Sequence, residues 1–438
     1  MLYIMTISEK QFSKIFFFFV VLIACTLIFR KPCTWLILAL ALFNLLYIKK
    51  THLTRRALIL ACIIASPFLL EILLFWKNDS FTQGVKSLEK TVALGLFPVL
   101  ILGNYQRILF YKLLQFYVNT TTLVMIVFAV RFAIIFPDYI SKYWHGIHLW
   151  EMGYVFANSI GIHAPALNMH LAFVSIAALY VLLHFWHLKN RFVFVFLSFL
   201  IFVCSFFFVL LVNTRMALLN VLVGYIVVVL SFFARQFDLK KVLIYTTCIS
   251  GVVCGVLFLF IQKNPYMKEK YGSVTFAYMD KVGKLDEIDH PEIKVFNSLV
   301  TRVSIWKAAW ELSLQHLPFG VGASDGKPEL VKYYKQTNQY FLAKYAFPTH
   351  NQFLDSLLKF GFLGPLVVLF FIGTVAYLGI NLKNALIFSF FFLFFTSNLT
   401  DDFLLRFDGI TFSGFWFSIF GSFWLKQKSN VHTNPEVL

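Results

Sequence analysis

Apolar runs long enough to cross a bilayer recur from Phe16 to Trp424, and they leave little choice of fold. Stretches such as 165–187, 192–212 and 241–262 are continuously apolar, and their length matches helices crossing a hydrocarbon core of about 30 Å. Backbone polar groups in lipid must be satisfied internally, which restricts spanning segments to helices or closed barrels. These runs lack the period-two alternation of a barrel strand, so the reading is helical. Composition agrees: of 438 residues, 59% are hydrophobic and 13% charged, more apolar surface than a soluble domain can bury. The expected fold class is an all-α polytopic membrane protein.

About twelve transmembrane helices are expected, near 15–29, 32–48, 56–75, 90–103, 108–136, 165–187, 192–212, 215–234, 241–262, 360–381, 383–398 and 408–425. The segments 90–103 and 383–398 are short for a perpendicular crossing, which suits tilting, re-entry or fusion with a neighbour. On this count Lys10, Lys14, Lys49, Lys50, Arg55 and Arg56 fall on one side, with Lys189, Arg191, Arg235, Lys240, Lys241, Lys383, Lys426 and Lys428. Short basic loops mark the cytoplasmic face, so both termini are expected inside. Lys77, Lys86 and Lys90 run against this bias. The opposite face receives Arg215, the segment 263–349 and the turn carrying Asp401, Asp402 and Arg406.

The domain reading follows: spans one to nine with short loops over 1–262, a large loop domain over 263–349, spans ten to twelve over 350–425, and a cytoplasmic tail over 426–438. The 263–349 stretch lies between spans nine and ten and is too long for a simple connection. Within it, 297–315 reads as an amphipathic helix, with Asn297 as its cap and Val303, Trp306 and Trp310 on one face, suited to lying along the membrane. Pro318, Gly320 and Gly322 end that helix, and the polar stretch through Lys335 reads as a flexible loop above the mouth of a site.

The formal charge of +17 is spread through interhelical loops rather than gathered into a basic, aromatic-interleaved patch, so no nucleic-acid partner is expected. Membrane lipids are the natural partner. The six cysteines show neither a CxxC pair nor a His-Cys spacing fit for zinc, which assigns them to packing. Leu22-Ile23-Ala24-Cys25 has the look of a lipoprotein processing site, but apolar sequence continues through Phe29 as in an uncleaved span.

Three residues carry candidate chemistry. Arg215, in Val212-Asn213-Thr214-Arg215-Met216-Ala217, falls between two apolar runs. A cation there is costly unless it meets water, a carboxylate or an anionic ligand, the plain alternative being a side chain that snorkels to the interface. Arg302, on the soluble helix, reads in isolation as solvated. His350 follows Pro348 and Thr349 where the chain returns to the membrane. An imidazole at such a place titrates near neutral pH and suits a general base that takes a proton from a hydroxyl. His163, in Gly161-Ile162-His163-Ala164-Pro165, reads as packing or interfacial.

The sequence Pro348-Thr349-His350-Asn351, followed at fixed distance by Gly361 and Gly364 on re-entry into the membrane, resembles the O-antigen ligase and polymerase superfamily. Asn213-Thr214-Arg215 at the start of a span resembles the same family, as does Thr301-Arg302-Val303-Ser304-Ile305-Trp306 leading to Pro318-Phe319-Gly320-Val321-Gly322. Residue-level support is concentrated in 213–217, 301–322 and 348–364; the first third of the chain adds only hydropathy.

The resemblance implies a bacterial inner-membrane glycosyltransferase with twelve helices, a large periplasmic loop and its active site facing the periplasm. It implies an undecaprenyl-diphosphate-linked glycan as donor, lipid A-core oligosaccharide as acceptor, Arg215 and Arg302 on the donor diphosphate, and His350 as base. Two guanidinium groups can hold the charge that grows on a departing diphosphate through bidentate hydrogen bonds. No cofactor is expected and no metal, since the leaving group is already activated. Asp401, Asp402 and Arg406 are supporting candidates, with a carboxylate paired to an arginine at the rim, as are Asn351, Gly361 and Gly364.

An O-antigen polymerase, whose acceptor is another lipid-linked glycan, is the nearest rival. The size of the loop before His350-Asn351 and the Asn-Thr-Arg turn favour the ligase. Oligosaccharide transfer to protein fits less well, because the chain stops soon after its last span. A lipid or polysaccharide transporter is the rival of a different class, but it calls for charges at mid-membrane depth and inverted repeats, and neither is visible.

Overall fold

The computed structural model describes residues 7–145, 149–186, 192–234, 236–263, 276–296 and 298–433, so Lys189, Arg191 and Arg235, which carried part of the orientation reading, lie outside the described residues. Every regular element among the described residues is a helix. The chain is an all-helical, multi-pass membrane protein.

Local chemistry sets the first elements. α1 (Glu9–Thr26) opens on a reciprocal cap in which the Ser8 hydroxyl accepts from Gln11 N and the Gln11 side chain accepts from Ser8 N. α2 (Arg30–Leu46) follows, and then α3 (Arg55–Ile64) and α4 (Ser66–Leu73), one apolar run bent by 67°. Pro67 in the first turn of α4 explains the break: it lacks an N–H, and its ring crowds the carbonyl four residues back. α5 (Phe81–Leu102) and α6 (Phe110–Ile135) cross next. The shorter α7 (Pro137–Trp144) and α8 (Leu149–Ile160) lead to α9 (Ala164–Trp186), α10 (Phe192–Val212), α11 (Arg215–Phe233) and α12 (Leu239–Lys263).

Among the described residues five helices are each long and apolar enough to cross a membrane: α6, α9, α10, α11 and α18 (Leu363–Asn381). The bent α3–α4 pair makes a sixth if it is one span. Helices also occupy the other expected segments. The short segment 90–103 is the second half of the 22-residue α5, and 383–398 falls on α19 (Ala385–Thr400). α9 is the central helix, 89% buried over its most apolar window, and it packs on α10, α11, α6 and α19. Its Ser175 hydroxyl shares a 2.6 Å hydrogen bond with Tyr225 of α11, which satisfies two polar groups that lipid could not.

The last helix, α20 (Phe407–Thr433), runs the length of the bundle. Lys426 near its far end donates to the carbonyls of Gln106 and Ile108, joining a network in which Arg107 binds Glu9, Asn104 and the Lys50 carbonyl. Arg406, just before its start, is nineteen or so residues away from that network, about 30 Å at 1.5 Å per residue. The two ends of the bundle are thus both polar and chemically distinct.

Between α12 and α18 the chain builds a second apolar core from Leu285, Ile305, Leu330, Tyr334, Leu342 and Leu358 with their neighbours. Its helices are α13 (Pro291–Lys294), α14 (Leu299–Gln315), α15 (Gly326–Gln336), α16 (Tyr340–Tyr345) and α17 (Gln352–Phe360). Three sequence expectations change here. Ser298 caps α14, its hydroxyl accepting from Thr301 N, while Asn297 lies outside the described residues. The buried face of α14 is Val300, Ser304, Ala308 and Leu312 with Thr301, Ile305 and Ala309 beside them. Trp310 is on the exposed side, because the loop domain's own core, not the membrane, takes the small-residue face. The polar stretch through Lys335 is helix α15 rather than a loop, since Leu330, Tyr333 and Tyr334 at helical spacing enter that core.

Two glycine-bearing stretches are tied together by the backbone. Val321 N donates to Leu358 O (3.0 Å), Gly322 N to Lys359 O (3.0 Å) and Phe362 N to Pro318 O (3.2 Å). Gly361 adopts φ +60°, and a Cβ there would lie 1.7 Å from Pro318 O; one on Gly364 would lie 2.0 Å from Ser356 O. Only glycine lets α17 turn into α18 against the 318–322 backbone.

Candidate active site

The site forms where the loop domain meets the C-terminal end of α19. The last carbonyls of a helix have no partner within it, and here side chains from the loop domain supply them. Arg302 Nη1 donates to Thr400 O, and Asn351 Nδ2 to Leu399 O at 3.1 Å. The Asn351 carbonyl oxygen meanwhile caps α17, accepting from Phe353 N (3.0 Å) and Leu354 N (3.1 Å). Gln352 Oε1 accepts from Leu404 N at 3.0 Å. Three consecutive residues from His350 therefore hold the 399–404 turn in place.

His350 has a left-handed backbone, φ 47°, a conformation that costs a non-glycine residue and persists where surroundings impose it. Its carbonyl accepts from Trp306 Nε1 (3.4 Å), and its Nδ1 lies 3.2 Å from Asp401 Oδ1. An ionised carboxylate accepts only, so Nδ1 carries a proton, and in the neutral imidazole Nε2 is then the nitrogen with the lone pair. The His350 side chain is 20% exposed and that of Asp401 8%, which leaves the ring a narrow way out and the carboxylate none. Nε2 has no protein partner among the described residues.

Burial pushes the Asp401 carboxyl up, but the His350 hydrogen bond and the Asp402 N–H, 2.9 Å away, outweigh it and hold the group below the usual carboxylate range. Asp402 goes the other way. It is 1% exposed, and burial together with the Asp401 charge raises it well above the ordinary value, its neutral form sharing a side-chain hydrogen bond with Asp401. One carboxylate is charged beside the imidazole and the other is neutral next to it.

The expected pairing of an aspartate with Arg406 is not what forms: Asp401 pairs with His350, and no ion pair to Arg406 occurs among the described residues. Arg406 instead lines a large cavity beside the site. His163, read from the sequence as packing, sits in the turn between α8 and α9 within the field of Arg406, Asp401, His350 and Arg302. Burial, then the Arg406 charge, push it down to about 4 against the pull of Asp401, so it is neutral at physiological pH.

Arg215 opens α11, after Asn213, which is buried with φ 52°, and Thr214, whose hydroxyl accepts from Asn168 Nδ2 at 2.9 Å. α11 runs antiparallel to α19: Thr396 Oγ1 donates to Asn220 Oδ1 (2.6 Å), and Ser389 Oγ to Gly224 O (3.4 Å). Following that register toward the start of α11 brings Arg215 to the level of Thr400. Arg215, Arg302 and His350 thus stand at one end of the bundle. Gly361 and Gly364 shape the hairpin behind them and meet no reacting group.

Residues 200–371 match the family model described as O-antigen ligase. Over this stretch, fewer than half of its residues, the chain is similar to the O-antigen ligase/polymerase superfamily. No curated protein matches it. Members of this superfamily are membrane glycosyltransferase-like enzymes. The matched segment contains Arg215, Arg302 and His350 and stops short of Asp401, Asp402 and Arg406.

Three groups at this end of the bundle offer metal-ligand atoms within 4.8 Å of one another: His350, Asp401 and Asp402. Such a set can hold a divalent cation. The fields of Arg302 and Arg406 at the neighbouring His163 oppose further positive charge.

Sequence reasoning passes over Glu71 and treats Lys86 and Lys90 only as exceptions to the charge bias. All three line the cavity that adjoins His163 and Asp402. The exceptional lysines are themselves the signal, since a basic residue on the wrong face needs another reason to be there.

Proposed function

We propose that this protein is an O-antigen ligase of the bacterial inner membrane, with twelve spans, both termini in the cytoplasm and its active site facing the periplasm. It transfers a glycan from undecaprenyl diphosphate to lipid A-core oligosaccharide. The observation that carries the reading is the His350–Asp401 pair, which leaves Nε2 free as a base beside Arg302 in a chain matching the O-antigen ligase family over 200–371.

The acceptor hydroxyl oxygen attacks the anomeric carbon of the donor as the bond from that carbon to the phosphate oxygen breaks. The hydroxyl proton passes to His350 Nε2, and Asp401 stabilises the imidazolium that results. The electron pair of the broken bond leaves on the diphosphate, where Arg215 and Arg302 hold the added charge. A single displacement inverts the anomeric centre. The cations do what a metal does elsewhere, so the reaction runs without one.

The test is reconstitution of purified protein with undecaprenyl-diphosphate glycan and lipid A-core, with and without chelator. Lipid A-linked product from wild type in chelator, absent in His350→Ala, is the expected result. Lengthened donor glycan with lipid A-core ignored overturns the ligase in favour of a polymerase. Transport with no glycosyl transfer overturns both, and loss of product in chelator assigns His350, Asp401 and Asp402 to a metal.

A further inference from the structure

A cavity of about 1110 Å³ opens between α2, α4 and α5 on one side and α17, α18 and the 402–408 turn on the other. This exceeds the roughly 300–1,000 Å³ of a pocket for one small molecule, so it has room for several sugar rings. It shares a wall with the catalytic pair, formed by His163, Pro348, Gln352 and Asp402, while Arg215, Arg302 and His350 themselves lie outside its lining.

The lining is chemically divided. Arg30, Lys86, Lys90, Lys327 and Arg406 reach it, and none of the five has an ion-pair partner among the described residues. Arg30 instead stacks on the Phe407 ring at 5.9 Å, which fixes its head beside Arg406. The cavity also collects polar atoms that have no partner in the protein. Glu71 Oε1, His163 Nδ1 and Ser324 Oγ are buried and unbonded, and all three residues line it. Glu71 is 3% exposed; a buried polar atom of this kind costs free energy unless something meets it. Ile37, Leu38, Leu94 and Val368 add apolar surface to the lining.

Free cations suit phosphate, carboxylates and hydroxyls suit sugar hydroxyls, and the apolar part of the lining suits acyl chain. We propose that this cavity is the acceptor site, and that it selects a phosphorylated, lipid-anchored oligosaccharide. Its phosphates meet Arg30, Lys86, Lys90, Lys327 and Arg406, and its hydroxyls meet Glu71, Ser324 and Asp402. The site rests on the ligase reading for its place in the reaction, and the shared wall of His163 and Asp402 puts the acceptor next to His350. Lys86 and Lys90, one helical turn apart on α5, face it together.

The test is binding without donor, so that no turnover enters it. Full-length protein in detergent is titrated with lipid A-core, intact or enzymatically dephosphorylated, and binding is read by intrinsic fluorescence. Wild type binds the phosphorylated form at least about tenfold more tightly; the Lys86→Glu/Lys90→Glu double variant loses that preference by about tenfold and binds the dephosphorylated form as wild type does. Ser87→Trp, which fills the cavity from α5, weakens both forms. The inference is overturned if the double variant binds phosphorylated acceptor like wild type, if it weakens undecaprenyl-diphosphate glycan instead, or if phosphatidylglycerol micelles compete as well as the acceptor. Protein that binds the acceptor through these lysines but transfers nothing to it sinks the ligase reading alone.

Discussion

The His350 imidazole directs Nδ1 at Asp401 Oδ1 from 3.2 Å, across the join between the loop domain and the end of α19. Both residues are held from outside the pair. His350 is fixed by its left-handed backbone and the Trp306 bond, and Asp401 by its position as the first residue past α19 and by the Asp402 N–H. A base whose ring is oriented this way needs no reorganisation when the proton arrives.

Asp401→Asn tests that orientation. An amide can offer its NH2 to Nδ1, which moves the ring proton to Nε2 and removes the base. The expected loss of product formation is on the order of 10–100-fold at unchanged donor affinity, against about 10²–10⁴-fold for His350→Gln. The double variant is expected to be no slower than His350→Gln alone, because the two act as one unit. Initial rates at saturating donor and acceptor measure this; additive losses would separate Asp401 from the histidine.

Arg302→Lys keeps the charge and removes the fork. The guanidinium already donates to Thr400 O and has further N–H groups to offer a diphosphate, whereas an ammonium on a flexible stem cannot hold both with the same geometry. Donor affinity is expected to fall by about tenfold in Arg302→Lys and further in Arg302→Ala, at about 1.4 kcal/mol per factor of ten. Titration with labelled undecaprenyl-diphosphate glycan reads it, and equal affinities for the Lys variant and wild type would show that only charge matters.

Much of this arrangement is legible in the amino-acid sequence. The helical class follows from apolar runs whose length the bilayer dictates, and Arg215 stands out because a cation beside a span needs a reason, whereas Arg302 and His350 stand out chiefly through the motifs that resemble the ligase family. Their meeting at one end of the bundle depends on the antiparallel register of α11 and α19, which no local signal carries. The buried face of α14 is set by a loop-domain core drawn from positions between Leu285 and Leu358, which no local signal carries, while Trp310 of the face expected to lie along the membrane stays exposed. His163 reads from sequence as packing or interfacial for a similar reason: what sets its chemistry is burial and then the charges of Arg406, Asp401 and His350, all distant in sequence.

Gly361→Ala is a test of the scaffold rather than the chemistry. Its Cβ would fall 1.7 Å from the Pro318 carbonyl oxygen at a positive φ, so either the α17–α18 turn or the 318–322 backbone must move. The expected cost is about 3 kcal/mol or more, in the range of strained or overpacked core positions. Gly373→Ala on α18, where a Cβ meets nothing within 4 Å, is the control and is expected to be neutral or slightly stabilising. Detergent thermal unfolding compares the two, and a Gly361→Ala protein as stable as wild type would mean that this contact relaxes at little cost.

Acid stability isolates His163. Its pKa is about 4 in the folded protein and near 6.5 in an unfolded chain, so folding is undisturbed by this group above about pH 6.5. As pH falls from there toward 4, the unfolded chain takes up a proton that the folded protein refuses, and stability is lost. His163→Gln cannot take up that proton in either state. Its stability relative to wild type is therefore expected to rise as pH drops from 7 to 4.5, whatever the constant effect of the substitution, while the acidic groups titrate in both proteins alike. Unfolding midpoints at closely spaced pH values give the difference directly. A difference independent of pH would mean that the imidazole accepts a proton in place, and that Arg406 and Arg302 exert less force on it than their position implies.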